Sequence, residues 1–233
     1  MQCSAPILAV AALALCWFTP SSGLAQPAAE AELHAVLPAN QLRSWMADAG
    51  VPGLSISVIH GFEVRWSRGF GVADARSRRS VTPTTLFQAA SISKPVMAIA
   101  AARLAEQGLF NLDADVADYI RRWQIPFQPD FADRPVTARM LLSHTAGFDD
   151  GLGFAGYEPT QPLPSILAIL NGEAPATNPA IRQGFRAMSR SLYSGGGSVV
   201  MQLLLTDLTG LPFDAVVERT ILQPLGLRRS FYQ

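Results

Sequence analysis

Lysine is almost missing from this chain. Of the 18 basic residues, Lys94 is the one lysine and the rest are arginine. An arginine side chain keeps its proton at any physiological pH, whereas a lysine amine can lose its proton when it is buried or set beside other cations. Among the lysine and arginine side chains, only Lys94 can therefore serve as a base.

Cysteine and histidine are also scarce. The two cysteines, Cys3 and Cys16, both lie in the apolar N-terminal segment. We therefore expect the mature chain to have no thiol, no disulfide and no cysteine-ligated metal. His34, His60 and His144 are scattered along the chain without the spacing of metal ligands. The sequence thus predicts neither a metal site nor a cofactor.

No excess of charge of either sign is present. Acidic and basic residues number 18 each, and runs of basic residues stop at pairs such as Arg78-Arg79. This balance argues against a nucleic-acid partner, which needs a basic footprint. With 49% hydrophobic residues, the chain can bury a sizeable core.

Residues 1–25 are typical of an export signal. An apolar run over residues 5–18 is followed by small residues at Gly23 and Ala25, with a cleavage point before Gln26. The run is short for a membrane span, and no later run reaches about 18 apolar residues. We therefore expect signal cleavage, no stable membrane span after it, and a periplasmic or secreted protein with residues 26–36 as a lead-in.

A strand pair followed by a long helical block is predicted for the rest of the chain. Alternating apolar and polar residues at 54–59, and the run at 63–70, predict a hairpin that turns around His60 and Gly61. Helices are predicted at residues 40–49 (capped by Asn40 and ended by Gly50), 92–107, 165–170, 198–209 and 212–222. The helix at 92–107 is apolar and rich in alanine, which predicts a buried position. The order of elements favours an α+β fold.

Ser91 and Lys94 have the spacing of a nucleophile and its activator. At positions i and i+3 of a helix, two side chains lie on one face within hydrogen-bonding reach. The tetrapeptide Ser91-Ile92-Ser93-Lys94 therefore fits an activated serine at the positive end of a helix, where an oxyanion would be stabilised. The alternative is a helix N-terminus with Ser91 as its cap and Lys94 as a solvated residue of the first turn.

Five stretches of the sequence carry a resemblance to a known family. In chain order they are FQAASISKPV, GLFNLDADVADYI, LLSHTAGF, LYSGGG and LLLTDLTGLPFDAVVERTILQPLGLRRSFY. Together they resemble the class C-like β-lactamase-related serine hydrolases of the serine β-lactamase and penicillin-binding-like superfamily. The resemblance covers residues 37–233. It implies an α+β, β-lactamase/transpeptidase-like fold with a partial antiparallel sheet, a buried nucleophile helix and a large helical region.

The resemblance also implies roles for three side chains. Ser91 would be the nucleophile that forms an acyl-enzyme, Lys94 its proton-transfer partner, and Tyr193 the second-motif tyrosine that faces the serine. Without the resemblance, the favoured interpretation of Tyr193 is a tyrosine in a flexible Ser-Gly loop. Many relatives have Tyr-Ser-Asn where this chain has Tyr-Ser-Gly, with Gly195 in place of the asparagine. The implied substrate is an ester, an amide or a D-amino-acid peptide bond, and the change at Gly195 argues against a specialist for β-lactams.

His144 invites a second interpretation, a Ser-His-Asp triad with Asp149 or Asp150 as the residue that orients the histidine. Such triads are recognised by geometry, and the chain has no G-x-S-x-G elbow to support one. In the family that the sequence resembles, the His-Thr-Ala-Gly segment is a structural signature. We therefore expect His144 to cap or brace a loop.

The family's third motif is not found in the sequence. That motif is a Lys-Thr-Gly or His-x-Gly on a strand near the C-terminus, and neither occurs after Tyr193. The expectation is an incomplete domain over residues 37–233 that lacks the C-terminal strands and one donor to the oxyanion. Two interpretations follow: an exported serine hydrolase of which this is a fragment, or a truncated, non-catalytic binding protein or defunct product.

Overall fold

The structure is a computed structural model, and it describes residues 38–126, 129–131, 134–148, 150, 156–157 and 160–232. The contacts divide the chain into two units, Met1–Phe87 and Gln88–Gln233. The predicted signal, its cleavage point and the lead-in lie outside the described residues, as does Asp149. The export signal and the limits of the predicted domain therefore stay predictions.

The first described element of the first unit is helix α1, Ala39–Asp48. Leu42 and Met46 are buried one turn apart, whereas Trp45 is 47% exposed. The predicted cap was wrong: the cap position is Pro38, which forms no side-chain cap, and Asn40 lies inside the first turn. Pro38 has a φ of −57° and a ψ of 132°, an extended conformation that proline adopts readily.

The predicted hairpin is confirmed. Strands β1, Gly53–His60, and β2, Glu63–Asp74, pair antiparallel. Gly61 and Phe62 form the turn between them, and both have positive φ, at 60° and 63°. Two central residues with positive φ make the tight turn that matches the twist of paired strands. A short strand β3, Arg79–Ser80, extends the sheet in the order β1-β2-β3.

The second unit opens with the segment that contains Ser91. A 3-10 turn, Ala90–Ile92, leads into helix α2, Ser93–Glu106. One face of α2 is buried, formed by Met97, Ala100, Ala101 and Leu104. Ile99, on the opposite face, is 55% exposed, so the predicted burial of this helix is confirmed for its inner face.

Short elements connect α2 to the next long helix. They are a 3-10 turn at Val116–Asp118, a 3-10 turn at Pro129–Phe131, helix α3 at Ala138–Leu142 and helix α4 at Ile166–Asn171. Thr137 and Ser165 cap α3 and α4 by accepting a hydrogen bond from a backbone N–H in the first turn. The helix predicted at residues 165–170 is thereby confirmed.

Helix α5, Gly195–Thr209, begins three residues before the predicted start at Ser198. Three glycines open it, and glycine is a poor helix former, so the sequence pattern left them out. The hydroxyl of Ser194 accepts a hydrogen bond of 2.7 Å from the N–H of Gly197 and caps the helix. The capping bond outweighs the low propensity of the glycines, and α5 ends at Gly210 as predicted.

The helix predicted at residues 212–222 is in two parts. Helix α6, Phe213–Val217, passes into a π-helical turn, Glu218–Leu222. No single helix among the described residues is long and apolar enough to cross a membrane; α5 together with Phe213–Leu222, bent by 77°, meets the length and composition criteria only as a pair.

The core of the second unit forms around α5. Val200, Met201, Leu203, Leu204 and Leu205 have no exposed surface, and they share one buried cluster with the inner face of α2. A helix that is apolar on nearly every side is typical of the centre of a domain. The separate antiparallel sheet and helical block confirm the predicted α+β class.

Candidate active site

Ser91 and Lys94 contact each other as their spacing predicts. The Lys94 Nζ atom donates a hydrogen bond of 3.2 Å to Ser91 Oγ. Ser91 does not cap α2, because the cap position is Ile92 and no side chain accepts a capping bond there. The preceding residue, Ala90, has a φ of 46°, a left-handed conformation that residues with a Cβ rarely adopt. The alternative of Ser91 as a simple helix cap therefore does not describe this turn.

Tyr193 is the third side chain at this place, next to Ser91 and Lys94. It immediately precedes the capping residue of α5, and its Oη atom donates a hydrogen bond of 2.6 Å to Ser91 Oγ. The Lys94 Nζ atom lies 4.8 Å from the centroid of the Tyr193 ring. The structure thus brings together all three side chains singled out in the sequence, with the serine oxygen bound by both others. Their catalytic roles stay predictions.

The electrostatics of Tyr193 follow from this contact. Hydrogen bonding from Lys94, and next from Ser91, holds the pKa of the Tyr193 phenol below its usual range, and the positive charge of Lys94 acts in the same direction. Desolvation opposes this shift. A cation that binds the charged form of a phenol makes the phenolate easier to form. Tyr193 can therefore give up and regain a proton at a lower pH than a free tyrosine.

His144 braces the segment around Tyr193. Its Nδ1 atom accepts a hydrogen bond of 3.3 Å from the N–H of Ser194, and its ring centroid lies 4.6 Å from that of Tyr193. Burial first, and then the charge of Lys94, lower the pKa of His144, while Asp150 acts in the opposite direction. These contacts agree with the expected bracing role.

Asp150 binds the start of α5. Its Oδ1 atom accepts a hydrogen bond of 2.5 Å from Ser194 Oγ, and its Oδ2 atom accepts one of 2.7 Å from the N–H of Gly196. A carboxylate at a helix N-terminus is stabilised by the free N–H groups and by the helix dipole. Both carboxylate oxygens of Asp150 therefore accept hydrogen bonds at the start of α5. In a Ser-His-Asp triad, Asp150 would instead accept a hydrogen bond from His144.

Sequence reasoning missed Ser194 and the use that α5 makes of Asp150. A signal for Ser194 was present, because serine is a favoured cap and Ser194 stands just before the glycines that lead into the apolar run from Val199. No comparable signal pointed to Asp150, since it lies 44 residues from Ser194 in the chain.

A cavity of about 300 Å³ opens at the three predicted residues. Its walls are mostly apolar and include a few polar side chains, as in small-molecule sites. The lining residues are Ser91, Lys94, Pro95, Met97, Ala98, Leu141, Leu142, His144, Tyr193 and Ser198. Among the residues that the structure describes, no group of three or more histidine, cysteine, aspartate or glutamate side chains could hold a metal ion.

Comparisons with known proteins agree with this geometry. Residues 39–233 match the family described as Beta-lactamase. The chain is 33% identical over 189 residues to Esterase EstB from Burkholderia gladioli, a match that covers 76% of this chain and 46% of the esterase. It is 35% identical over 132 residues to the mitochondrial serine beta-lactamase-like protein LACTB from Mus musculus, over 53% of this chain and 22% of that protein.

Solved structures give the same result. The octameric penicillin-binding protein homologue from Pyrococcus abyssi is 26% identical and superposes with a TM-score of 0.65, over 82% of this chain and 44% of that chain. The present chain thus spans less than half the length of each of these relatives. The predicted β-lactamase/transpeptidase-like fold is confirmed. The chain belongs to the beta-lactamase family of serine hydrolases.

Proposed function

We propose that this protein is an exported serine hydrolase whose Ser91 forms an acyl-enzyme with an ester, an amide or a D-amino-acid peptide. One observation carries the proposal: Ser91 Oγ is bound both by Lys94 Nζ at 3.2 Å and by Tyr193 Oη at 2.6 Å. A nucleophile within hydrogen-bonding distance of a base, with a third group that orients the base, is the arrangement that activates a serine.

The reaction would begin with proton transfer from Ser91. As a phenolate next to the Lys94 ammonium, Tyr193 accepts the serine proton while Oγ attacks the carbonyl carbon. The tetrahedral intermediate then collapses, the bond to the alcohol or amine breaks, and the leaving group takes the proton from Tyr193. A water molecule would release the acyl group from Ser91 by the same steps in reverse.

The substrate class rests on the cavity and on a relative. Met97, Leu141 and Leu142 give the cavity an apolar side next to Ser91, which suits an acyl group of modest size. Esterase EstB, which shares 33% of its matched residues, is by name an esterase. A carboxylic ester is therefore the first substrate to test.

Export is proposed from the first 25 residues alone. The apolar run at 5–18 and the small residues Gly23 and Ala25 support a cleaved signal. The mass of the protein from the exported fraction of its native host tests this. A mature chain that begins at Gln26 is the expected product, and a chain that keeps residues 1–25 in the cytoplasm would contradict export.

A fluorophosphonate probe, which reacts covalently with activated serines, tests the catalytic proposal. The full-length protein is expected to be labelled, with the probe on Ser91 in a peptide map, and Ser91→Ala is expected to remove the label. The matched control is Ser93→Ala, which removes a hydroxyl two positions away that is not among the cavity-lining residues. Full-length protein that is folded but unlabelled would instead favour a non-catalytic binding protein.

A further inference from the structure

One residue contacts three consecutive positions around Tyr193. The backbone oxygen of His144 accepts a hydrogen bond of 2.9 Å from the N–H of Leu192. Its Nδ1 atom accepts one of 3.3 Å from the N–H of Ser194. Its ring lies 4.6 Å from the Tyr193 ring, tilted by 38°. The backbone on both sides of Tyr193 and the ring between them are thus held by the same histidine.

His144 is itself held in an unfavourable backbone conformation. Its φ is 58°, in the left-handed region. Its own N–H donates a hydrogen bond of 3.3 Å to the Leu141 carbonyl at the end of α3, and the next residue, Thr145, donates one of 2.8 Å to Met140. A residue other than glycine is kept in this region only where its surroundings fix it, and such residues cluster at functional sites. These hydrogen bonds to α3 therefore fix the backbone at His144, in addition to its contacts around Tyr193.

The bond to Ser194 requires a neutral imidazole. Because Nδ1 accepts a hydrogen bond from an N–H group, the proton of the ring is on Nε2. Within the described part of the chain, the charged and titratable groups that face His144 are Lys94 on α2, Asp150 before α5, and Tyr193. Burial and Lys94 disfavour the imidazolium, and Asp150 favours it. A proton added at Nδ1 would remove the acceptor for Ser194.

We propose that His144 is a positioning residue whose neutral imidazole holds the Tyr193 ring so that Oη stays within hydrogen-bonding distance of Ser91 Oγ. The inference rests on the proposed function, because positioning matters only if Tyr193 exchanges a proton with Ser91. A misplacement of about 1 Å at a reacting group can cost on the order of a hundredfold in rate. Protonation of His144 would therefore lower the rate without removing any group that reacts.

The substitution His144→Asn tests the ring contact with Tyr193 separately from the hydrogen bond to Ser194. The Asn Oδ1 atom can take the place of Nδ1 as acceptor for Ser194, and asparagine tolerates positive φ, but the ring against Tyr193 is lost. We expect a folded variant, checked by circular dichroism, that reacts with the fluorophosphonate probe on the order of tenfold or more slowly than the parent. Ser93→Ala again serves as the control with an unchanged rate.

The pH dependence supplies a result that loss of stability would not give. As the pH falls, the logarithm of the labelling rate of the parent should decrease with a slope of about one while Tyr193 takes up its proton, and should decrease more steeply around the pKa of His144. In His144→Asn, the slope should stay near one over the pH range in which both proteins are folded. A variant with the rate and the profile of the parent would overturn the positioning role.

Two further results would distinguish failure of the proposed function from failure of the positioning role. A folded parent that the probe does not label would refute the proposed function and not the geometry of His144. If His144→Asn does not fold, nitrogen NMR of histidine-labelled parent protein decides, since the chain has three histidines to assign. The tautomer with the proton on Nε2 is expected for His144 at neutral pH, and an imidazolium at that pH would overturn the inference.

Discussion

Tyr193 Oη lies 2.6 Å from Ser91 Oγ although 102 residues separate the two in the chain. The helices that follow them, α2 and α5, contribute buried side chains to one cluster, among them Leu104 and Leu204. Packing in such a cluster is dense and resists displacement. The distance between the two oxygen atoms is thus set by the core of the second unit, and the pair exists only in the folded chain.

Replacing Lys94 with methionine should raise the pKa of Tyr193. Hydrogen bonding from Lys94 is the largest cause that holds this pKa low, the charge of Lys94 adds to it, and methionine supplies neither. In the parent, the phenolate therefore forms at lower pH than in Lys94→Met. Ultraviolet titration of each protein measures the shift. The titration of the same protein carrying Tyr193→Phe is subtracted in each case, so that the remaining signal comes from Tyr193.

Lys94→Arg is the matched control for this titration. Arginine keeps a positive charge near the phenol, so the pKa of Tyr193 should stay closer to that of the parent than in Lys94→Met. The same midpoint in the parent and in Lys94→Met would show that Lys94 does not act on the phenol.

Asp150→Asn should lower the free energy of unfolding by about 1.5 to 3 kcal/mol, the range for hydrogen bonds to a charged group. The substitution removes the negative charge at the start of α5 and places an amide donor against either the Ser194 hydroxyl or the N–H of Gly196. Urea unfolding measures the change.

Asp113→Asn is the control for Asp150. Asp113 binds Arg139 through two hydrogen bonds of 2.6 and 2.8 Å, but both side chains are about 60% exposed. Water screens such a pair, so its loss should change stability little. Equal effects of the two substitutions would mean that Asp150 does not hold α5 in place.

The contact of Ser91 with Lys94 could be predicted because it is local. A helix fixes the relation of side chains at i and i+3. Tyr193 was found only through the resemblance of LYSGGG to a family motif, because no local rule relates a tyrosine to a serine 102 residues earlier. Its pairing depends on how α2 and α5 pack, which a single sequence does not specify.

Errors at helix ends have a similar cause. The start of α5 was placed at Ser198 because glycines are weak helix formers, yet Ser194 and Asp150 together bind the N–H groups of Gly196 and Gly197. Asp150 comes from a distant part of the chain. Tertiary contacts thus decided a boundary that propensity alone assigned wrongly.

Tyr232→Phe should lower the free energy of unfolding by about 0.5 to 1.5 kcal/mol, the usual contribution of one hydrogen bond. The Tyr232 Oη atom donates a hydrogen bond of 2.7 Å to the carbonyl of Ser93 at the start of α2. The edge-to-face contact with Phe213, at 5.4 Å, remains in the variant. Urea unfolding measures the loss.

Tyr232→Leu distinguishes the two contributions of this side chain. It removes both the hydrogen bond and the aromatic contact, and should cost more than Tyr232→Phe. A phenylalanine variant as stable as the parent would mean that the bond to Ser93 contributes nothing measurable.

Gly147→Ala should destabilise the protein more than Gly108→Ala, although both glycines have positive φ, at 95° and 77°. A Cβ atom at position 108 would meet nothing within 4 Å, so that variant carries only the backbone strain, on the order of 1 to 2 kcal/mol. A Cβ atom at position 147 would lie 2.2 Å from the carbonyl oxygen of Phe185.

This close approach has a structural reason. The Gly147 carbonyl accepts hydrogen bonds from the N–H groups of Gly184 and Phe185, at 2.9 and 3.2 Å, so the two segments cannot separate without losing them. We therefore expect a further loss of about 1 to 3 kcal/mol, typical of overpacking, in the free energy of unfolding measured in urea. Equal losses for the two variants would mean that strain in φ, and not contact with Phe185, is what requires glycine in the His-Thr-Ala-Gly segment.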